Sequence, residues 1–248
     1  AYVRTDSYFD NSPLSSSGLP SDKELELLNP WKKQLPPELF SDTFSPPKTD
    51  GSGNDRKNLL IAKEILEKEG WLIENGKLTK DGEEFKFEFL IVSPSDEKIA
   101  LAYQSNLKKL GITMDVRTVD SSQYQARLLN YDYDMIKRYW GVSLSPGNEQ
   151  QFYWGSEVGK KDGSRNYSGI DSPVVDALIE KLISANDREE LTTAIHALDR
   201  VLLWGHYVVP LYHSNKDRIA YWDFFEYPDK IPLYGIVIES WWINKDKQ

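Results

Sequence analysis

The chain of 248 residues contains no cysteine. Disulfides, thiolate metal sites and cysteine nucleophiles are thereby excluded together. The absence suits an oxidising compartment, where a stray thiol is a liability. Long apolar runs are missing as well: the longest candidates, 201–203 and 235–238, are core-sized and far short of a bilayer span. Positive charge is in deficit, with 30 Lys and Arg against 39 Asp and Glu, a net charge of -9 and a pI near 5.0. Such a chain has no basic face to release counterions from phosphates, which argues against a nucleic-acid partner. An HExxH pair, a GxSxG elbow, a P-loop and a dinucleotide fingerprint are all absent.

The residue types that could do chemistry are scattered. Of the three histidines, His196 falls inside a helical pattern, while His206 and His213 flank a strand at odd spacing. Odd spacing turns the last two to opposite faces, a poor start for a shared metal. Glu83-Glu84 and Glu189-Glu190 are adjacent pairs that diverge rather than form an acid/base couple. No metal site and no cofactor are expected, and the chain reads as a non-enzyme. It opens Ala1-Tyr2-Val3-Arg4 with no initiator methionine, so a processed or truncated product is expected.

What is present is a globular composition, 40% hydrophobic and 12% aromatic, with the aromatics concentrated in one loop. The run 139–154, YWGVSLSPGNEQQFYW, sets Tyr139, Trp140, Tyr153 and Trp154 around a polar stretch that cannot pack a core itself. Ser143, Ser145, Asn148, Glu149, Gln150 and Gln151 supply donors and acceptors between flat apolar faces. Pro146-Gly147 marks a turn, so the loop is expected to double back and bring the two aromatic pairs together. Aromatic walls with polar groups suit reversible capture of a soluble ligand. The plainer reading makes Trp140 and Trp154 ordinary anchors beneath a long loop. A second loop, 163–169, places Arg165 and Asn166 among small residues. There the arginine pairs a ligand carboxylate or phosphate, or else bonds loop carbonyls. Tyr8 and Phe9 form a third patch, read as core packing.

Along the chain, prolines at 36–37 and 46–47 and a Ser-rich stretch at 11–20 make the first fifty residues irregular, while Leu25, Leu28, Trp31 and Leu39 pin them to a surface. Asn54 or Asp55 caps a helix closed by Gly70. Alternation over 85–92 reads as a strand, followed by a helix started by Ser95 and stopped by Gly111. A strand over 112–119, a helix capped by Ser121 and a strand over 133–139 complete a βαβαβ series, whose right-handed crossovers lay the strands in one sheet. The aromatic loop then leaves a carboxyl edge, where open α/β sheets bind ligands. Ser172-Pro173 and an Asp187/Glu190 capping box open two further helices, the second ended by Gly205. Strands are expected over 207–213, 218–222 and 235–243.

One ordered series of motifs stands out. Arg4-Thr5-Asp6-Ser7-Tyr8-Phe9, Ser17-Gly18-Leu19-Pro20, Thr49-Asp50-Gly51-Ser52-Gly53, SLSPGNEQ at 143–150, LLWGHYVVP at 202–210, Pro232-Leu233-Tyr234-Gly235 and Trp241-Trp242 span nearly the whole chain. Together they resemble the family 5 extracellular solute-binding proteins of ABC importers, and among these the oligopeptide and microcin C type receptors. The resemblance implies an α/β lobe of the periplasmic-binding-protein type II kind, with a βαβαβ sheet core and C-terminal strands that return to a first lobe. It implies that this is the C-terminal portion of a longer receptor. In domain terms it implies an irregular Pro/Ser-rich segment packed on the lobe over 1–54, the α/β ligand-binding lobe over 55–206 and a crossover segment over 207–248. A periplasmic receptor that hands oligopeptides or modified peptides to a membrane permease is the implied function.

The residues expected to hold ligand are Trp140, Ser143, Ser145, Asn148, Glu149, Gln151, Trp154, Arg165 and Asn166. The resemblance has one departure. Peptide receptors of this family carry an aspartate in the loop matching 140–148 to hold the ligand's amino terminus, and here Glu149 is the loop's only acid. Either Glu149 takes that role or the ligand lacks a free amine there, which leaves modified peptides, peptide–nucleotide conjugates and glycans open. A hydrolase built on Glu149 would need a second carboxylate nearby.

Overall fold

The computed structural model describes residues 2–53, 55–232 and 235–247. Asn54, one of the two expected helix caps, and Leu233 and Tyr234 of the 232–235 motif lie outside them. The chain divides into a larger unit, Ser7–Val208, and a smaller one that joins Ala1–Asp6 to Val209–Gln248. The first strand, β1 (Val3–Arg4), belongs to the smaller unit.

The larger unit opens with a segment less irregular than its prolines suggest. Ser21 accepts the Glu24 N–H at 3.3 Å and starts α1 (Asp22–Leu28). A 3-10 turn with Pro30 in its first turn follows, then α2 (Glu38–Ser41) with Pro37 at its N-cap. Prolines at those positions give up N–H groups that no helix would use. Asp55 caps α3 (Arg56–Lys68), accepting the Asn58 N–H at 3.0 Å, and Gly70 ends it at φ +86°.

An antiparallel meander then appears that the alternation rule passed over: β2 (Leu72–Glu74), β3 (Lys77–Lys80) and β4 (Glu83–Glu84). Its turns are Asn75-Gly76 and Asp81-Gly82, all four residues left-handed. These pairs are the chemistry a tight hairpin demands.

Beyond it lies the sheet that was expected. β5 (Lys86–Ile91), α4 (Pro94–Lys108), β6 (Thr113–Thr118), α5 (Ser121–Leu129) and β7 (Met135–Ile136) make a three-stranded parallel sheet in the order β6-β5-β7. Pleating turns Phe89 and Ile91 toward the core under α3 and α4, while Leu90 packs with Tyr124 and Leu128 of α5 on the other face. Two caps move: Ser93, with Pro94 behind it, starts α4, and Asp120 caps α5 by accepting the Gln123 N–H at 2.9 Å. The expected strand over 133–139 pairs only at 135–136, opposite Phe89 and Leu90. After Ile136 the chain is drawn off the sheet, with the Lys137 ammonium on Asp96 and the Lys137 carbonyl accepting from the Tyr124 hydroxyl at 3.3 Å.

The rest of the unit is helical: α6 (Glu149–Trp154), α7 (Ser156–Gly159), α8 (Pro173–Ile183) and α9 (Arg188–Trp204). Ser172 caps α8 through the Val175 N–H. Asp187 caps α9 through the Glu190 N–H at 2.9 Å, but the Glu190 carboxylate returns to the Asn186 N–H, so the capping box is half formed. Gly205 ends α9 with an ordinary negative φ, and the left-handed residue is His206. Val175, Leu178, Ile195, Leu198 and Leu202 form the centre of this layer, and Phe9, Leu14, Leu28 and Leu39 bury themselves against it.

Two adjacent residues of α9 hold that N-terminal segment down. Asp199 is fully buried and accepts four bonds: Ser7 Oγ at 2.8 Å, Tyr8 N–H at 2.8 Å, Ser16 N–H at 2.9 Å and Ser16 Oγ at 2.7 Å. Burial pushes its carboxyl above the usual range, against the pull of those donors. Arg200 pairs Nε with Glu24 at 2.6 Å and donates to the carbonyls of Ser17, Gly18 and Leu19. One turn earlier, His196 lies 3.5 Å from the same Glu24 and 3.2 Å from the Pro13 carbonyl.

In the smaller unit, β8 (Tyr212–His213) pairs with β1, and β9 (Phe225–Glu226) pairs with β10 (Trp242–Ile243). The long strands expected over 207–213, 218–222 and 235–243 are therefore cut to two residues each or absent, and 238–240 is a 3-10 turn. A strand persists only where a partner offers its ladder, and these ribbons are two strands wide. Trp222 (73% exposed) and Ile238 (68%) remain open.

Two outcomes follow for the buried cluster. Arg200→Ala leaves Glu24 and three carbonyls without their donor, and is expected to cost about 3–5 kcal/mol in urea unfolding. His196 has its pKa raised above the ordinary 6.5, chiefly by the hydrogen bond with Glu24. Its contribution is thus complete below that value and is lost as pH rises through the raised one. Glu24 is held below its ordinary 4.5, the bonds from His196 and Arg200 outweighing burial, so its share is lost as pH falls. His196→Gln should flatten the decline in melting temperature above neutral pH while leaving the acid limb in place.

Candidate functional site

The site is built from three chain segments that the sheet brings to one edge. The chain leaving β7 carries Arg138, Tyr139 and Trp140. Arg138 lies with its guanidinium carbon 4.5 Å from the centre of the Tyr167 ring and donates Nη2 to Tyr167 Oη at 2.8 Å. The loop holding Tyr167 is itself tied down. Tyr133 Oη donates to the Tyr167 carbonyl at 3.0 Å, the Gly163 N–H to the Leu129 carbonyl at 2.9 Å, and the Tyr131 and Ser164 hydroxyls bond each other. On the far side, Arg188 of α9 donates to the Leu144 carbonyl and fixes the middle of the aromatic loop.

These ties enclose a cavity of about 380 Å³. Its wall combines Arg138, Tyr139, Trp140, Tyr153, Arg165 and Tyr167 with Gln125, Leu128 and Leu129 of α5. Two guanidiniums and no carboxylate line it. Burial pushes the Tyr133 hydroxyl beneath this wall to a raised pKa, so it stays a neutral donor. Trp140 Nε1 is buried with no acceptor among the described residues.

The expected ligand-binding residues fall into three groups. Trp140 and Arg165, from the two separate loops, do meet at the cavity. Ser143, Ser145, Asn148 and Gln151 are exposed but stand outside its lining; Ser143 Oγ accepts the Ser145 N–H at 3.2 Å and shapes the turn. Glu149 turns back on its own loop, both oxygens 3.0 Å from the Gly147 nitrogen and one 3.3 Å from Gln150 Nε2.

Trp154 and Asn166 lie inside the fold. Trp154 is 3% exposed, its indole N–H bonded to Gln150 Oε1 at 3.0 Å, its ring edge-on to Tyr8 at 5.1 Å and 4.9 Å from Trp140. It is the floor on which Trp140 rests. Asn166 is fully buried, bonding the Gly155 carbonyl and both backbone groups of Ile170 at 2.8–3.1 Å. A Cβ at Gly159 would lie 2.6 Å from its Nδ2, so the loop closes only over glycine. Both polar signals were spent on loop architecture, which a sequence pattern does not separate from ligand contact.

Arg138 and Tyr167 were overlooked, although each sits within two residues of a residue that was singled out. Gln125, Leu128 and Leu129 carried no signal of their own, since only docking of α5 brings them to the wall.

A parallel βαβαβ sheet with loops folded at its carboxyl edge is the fold of a periplasmic-binding-protein type II lobe. Residues 32–162, more than half of the chain, match the middle region of the bacterial extracellular solute-binding proteins, family 5, and the chain belongs to that family. An uncharacterized protein of Sinorhizobium fredii, y4wM, is 48% identical over 97% of this chain and 37% of its own length. The peptidoglycan-binding protein YepA of Agrobacterium fabrum is 42% identical over 98% of this chain and 40% of its own. The chain therefore spans about two fifths of the length of these curated relatives. Among solved structures, the oligopeptide-binding protein AppA of Bacillus subtilis, in complex with a nonapeptide, superposes with a TM-score of 0.60 at 22% identity, covering 90% of this chain and 45% of that one. That likeness carries the fold. The family consists of solute-binding receptors, and no helix among the described residues is long and apolar enough to cross a membrane.

The burial pattern separates floor from wall. Trp154→Ala should cost about 3–5 kcal/mol in chemical denaturation, as truncation of a core aromatic does. Gln151→Ala and Ser143→Ala, on the exposed face, should stay within about 0.5 kcal/mol of the parent.

Proposed function

We propose that this chain is the ligand-binding lobe of the substrate-binding component of an ABC importer, a periplasmic receptor without catalytic activity. Its ligand is peptide-like: an oligopeptide, or a peptide carrying a sugar or other modification. The observation that carries the reading is the cavity itself, where Trp140, Tyr139 and Tyr153 stand beside Arg165 at the carboxyl edge of the sheet. Flat aromatic faces take the body of a ligand by stacking and area burial, and the few polar groups orient it. The name of the 42% identical relative, a peptidoglycan-binding protein, supports a ligand that joins peptide and glycan chemistry. Cavity walls without a carboxylate supply no acid/base pair for hydrolysis.

The facing wall of the cleft is proposed to come from polypeptide outside this chain. Closure of the two walls would dehydrate the ligand and present the closed form to the permease.

Two measurements test the reading on the complete receptor. Native mass spectrometry of the protein as purified should release peptides or peptide–glycan fragments; release of unmodified sugars alone would overturn the substrate class. By calorimetry, Tyr139→Ala, at a residue 88% exposed, should weaken ligand binding several-fold without a change in melting temperature. Trp140→Ala should weaken it by tenfold or more, on the scale of a buried aromatic anchor. Unchanged affinity in both variants would remove the cavity from the binding site.

A further inference from the structure

The charge of the cavity runs against the charge of the chain. Acidic residues exceed basic ones by nine, yet the only fully charged side chains in the cavity wall are Arg138 and Arg165. Elsewhere in the unit arginines find acids. Arg127 pairs with Glu88 and Asp132, Arg117 lies 3.9 Å from Glu88, and Arg200 holds Glu24. Arg138 and Arg165 have no carboxylate within 4.0 Å among the described residues. In a chain with a surplus of acids, two unpaired guanidiniums facing one cavity are a standing demand for an anion.

The first of them is pre-set. Tyr167 supports the Arg138 guanidinium with its ring and holds one Nη by its hydroxyl, and Tyr124 also bonds the guanidinium; of its five N–H groups the fork still keeps some to donate. Tyr167 in turn is anchored by Tyr133, so the fork is positioned before any ligand arrives. Less rotamer freedom is then lost on binding. Glu149, the loop's one acid and one of the two alternatives for the missing aspartate, is meanwhile bonded by its own loop.

We propose that this cavity receives a carboxylate of the ligand, clamped between Arg138 and Arg165, rather than its amino group. The inference rests on the peptide-receptor reading above and deepens it: the ligand portion seated in this lobe is acidic, its carboxylate forked by the arginines and its apolar body against Trp140. The carboxylate belongs to a free carboxyl terminus or to an acidic side chain, and the test separates these.

Four tripeptides serve as probes for the complete receptor in titration calorimetry: Ala-Glu-Ala and Ala-Gln-Ala, each as the free acid and as the carboxyl-terminal amide. Ala-Gln-Ala amide, which has no carboxylate, should bind at least tenfold more weakly than the best of the others. If the terminus is the recognised group, both free acids share the advantage; if the side chain is, both Glu probes do. The advantage should shrink at high salt and vanish in the Arg138→Gln, Arg165→Gln double variant, whose fold circular dichroism checks. Equal binding of all four probes, or an advantage that survives in the double variant, overturns the clamp and leaves the receptor reading standing. Failure of every probe to bind overturns the peptide reading, and the clamp with it.

Discussion

The larger unit depends on one buried polar junction, the meeting of Asp199 and Arg200 with residues 7–24. Two neighbouring helix residues of opposite charge point about 100° apart around α9, and each takes a different stretch of the same incoming segment. Asp199 gathers Ser7, Tyr8 and Ser16, while Arg200 gathers Glu24 and the carbonyls of 17–19. Isolated, such charges would be costly to bury; fully bonded, they dictate a single path for a segment that has almost no ladder bonds of its own. That path lays Phe9, Leu14, Leu28 and Leu39 on the helical core and sets Tyr8 edge-on against Trp154.

From that floor the site follows by contact. Trp154 supports Trp140, and Trp140 forms the cavity wall. On the other side, the parallel sheet delivers the chain to its carboxyl edge, and the tyrosine bonds around 131–133 and 164–167 fasten the second loop to α5. The cavity is therefore a seam between helical core and sheet. Its shape is set by groups behind the wall, and its charge by two arginines with no carboxylate beside them among the described residues.

Much of the fold was legible because its signals are local. The parallel strands, the long helices and the Ser172 and Asp187 caps follow from periodicity and from side chains that bond within one turn. The hairpins at Asn75-Gly76 and Asp81-Gly82 were equally local and were passed over, because strands of two to four residues leave too little alternation to notice. The tail failed for the opposite reason. Its apolar runs have strand composition, but ladders need partners, and the alternation cannot say where a partner lies.

The sequence by itself determined the long helices and the parallel strands of the lobe, the place where the chain leaves the sheet and the clustering of aromatics there. It also determined the family, through motifs such as Arg4 to Phe9 and Ser17 to Pro20, in which Ser7-Tyr8 and Ser17 to Leu19 prove to be what Asp199 and Arg200 grip. Only the tertiary structure decided which of those aromatics and polar groups line the cavity. Trp154 and Asn166 had the right residue types in the right loops and went to the interior, while Arg138 and Tyr167 went to the wall. The physical reason is that residue type sets what a side chain can bond, but burial sets what it does bond. Burial depends on which distant segment docks against it, here residues 7–24 on one side and α5 on the other.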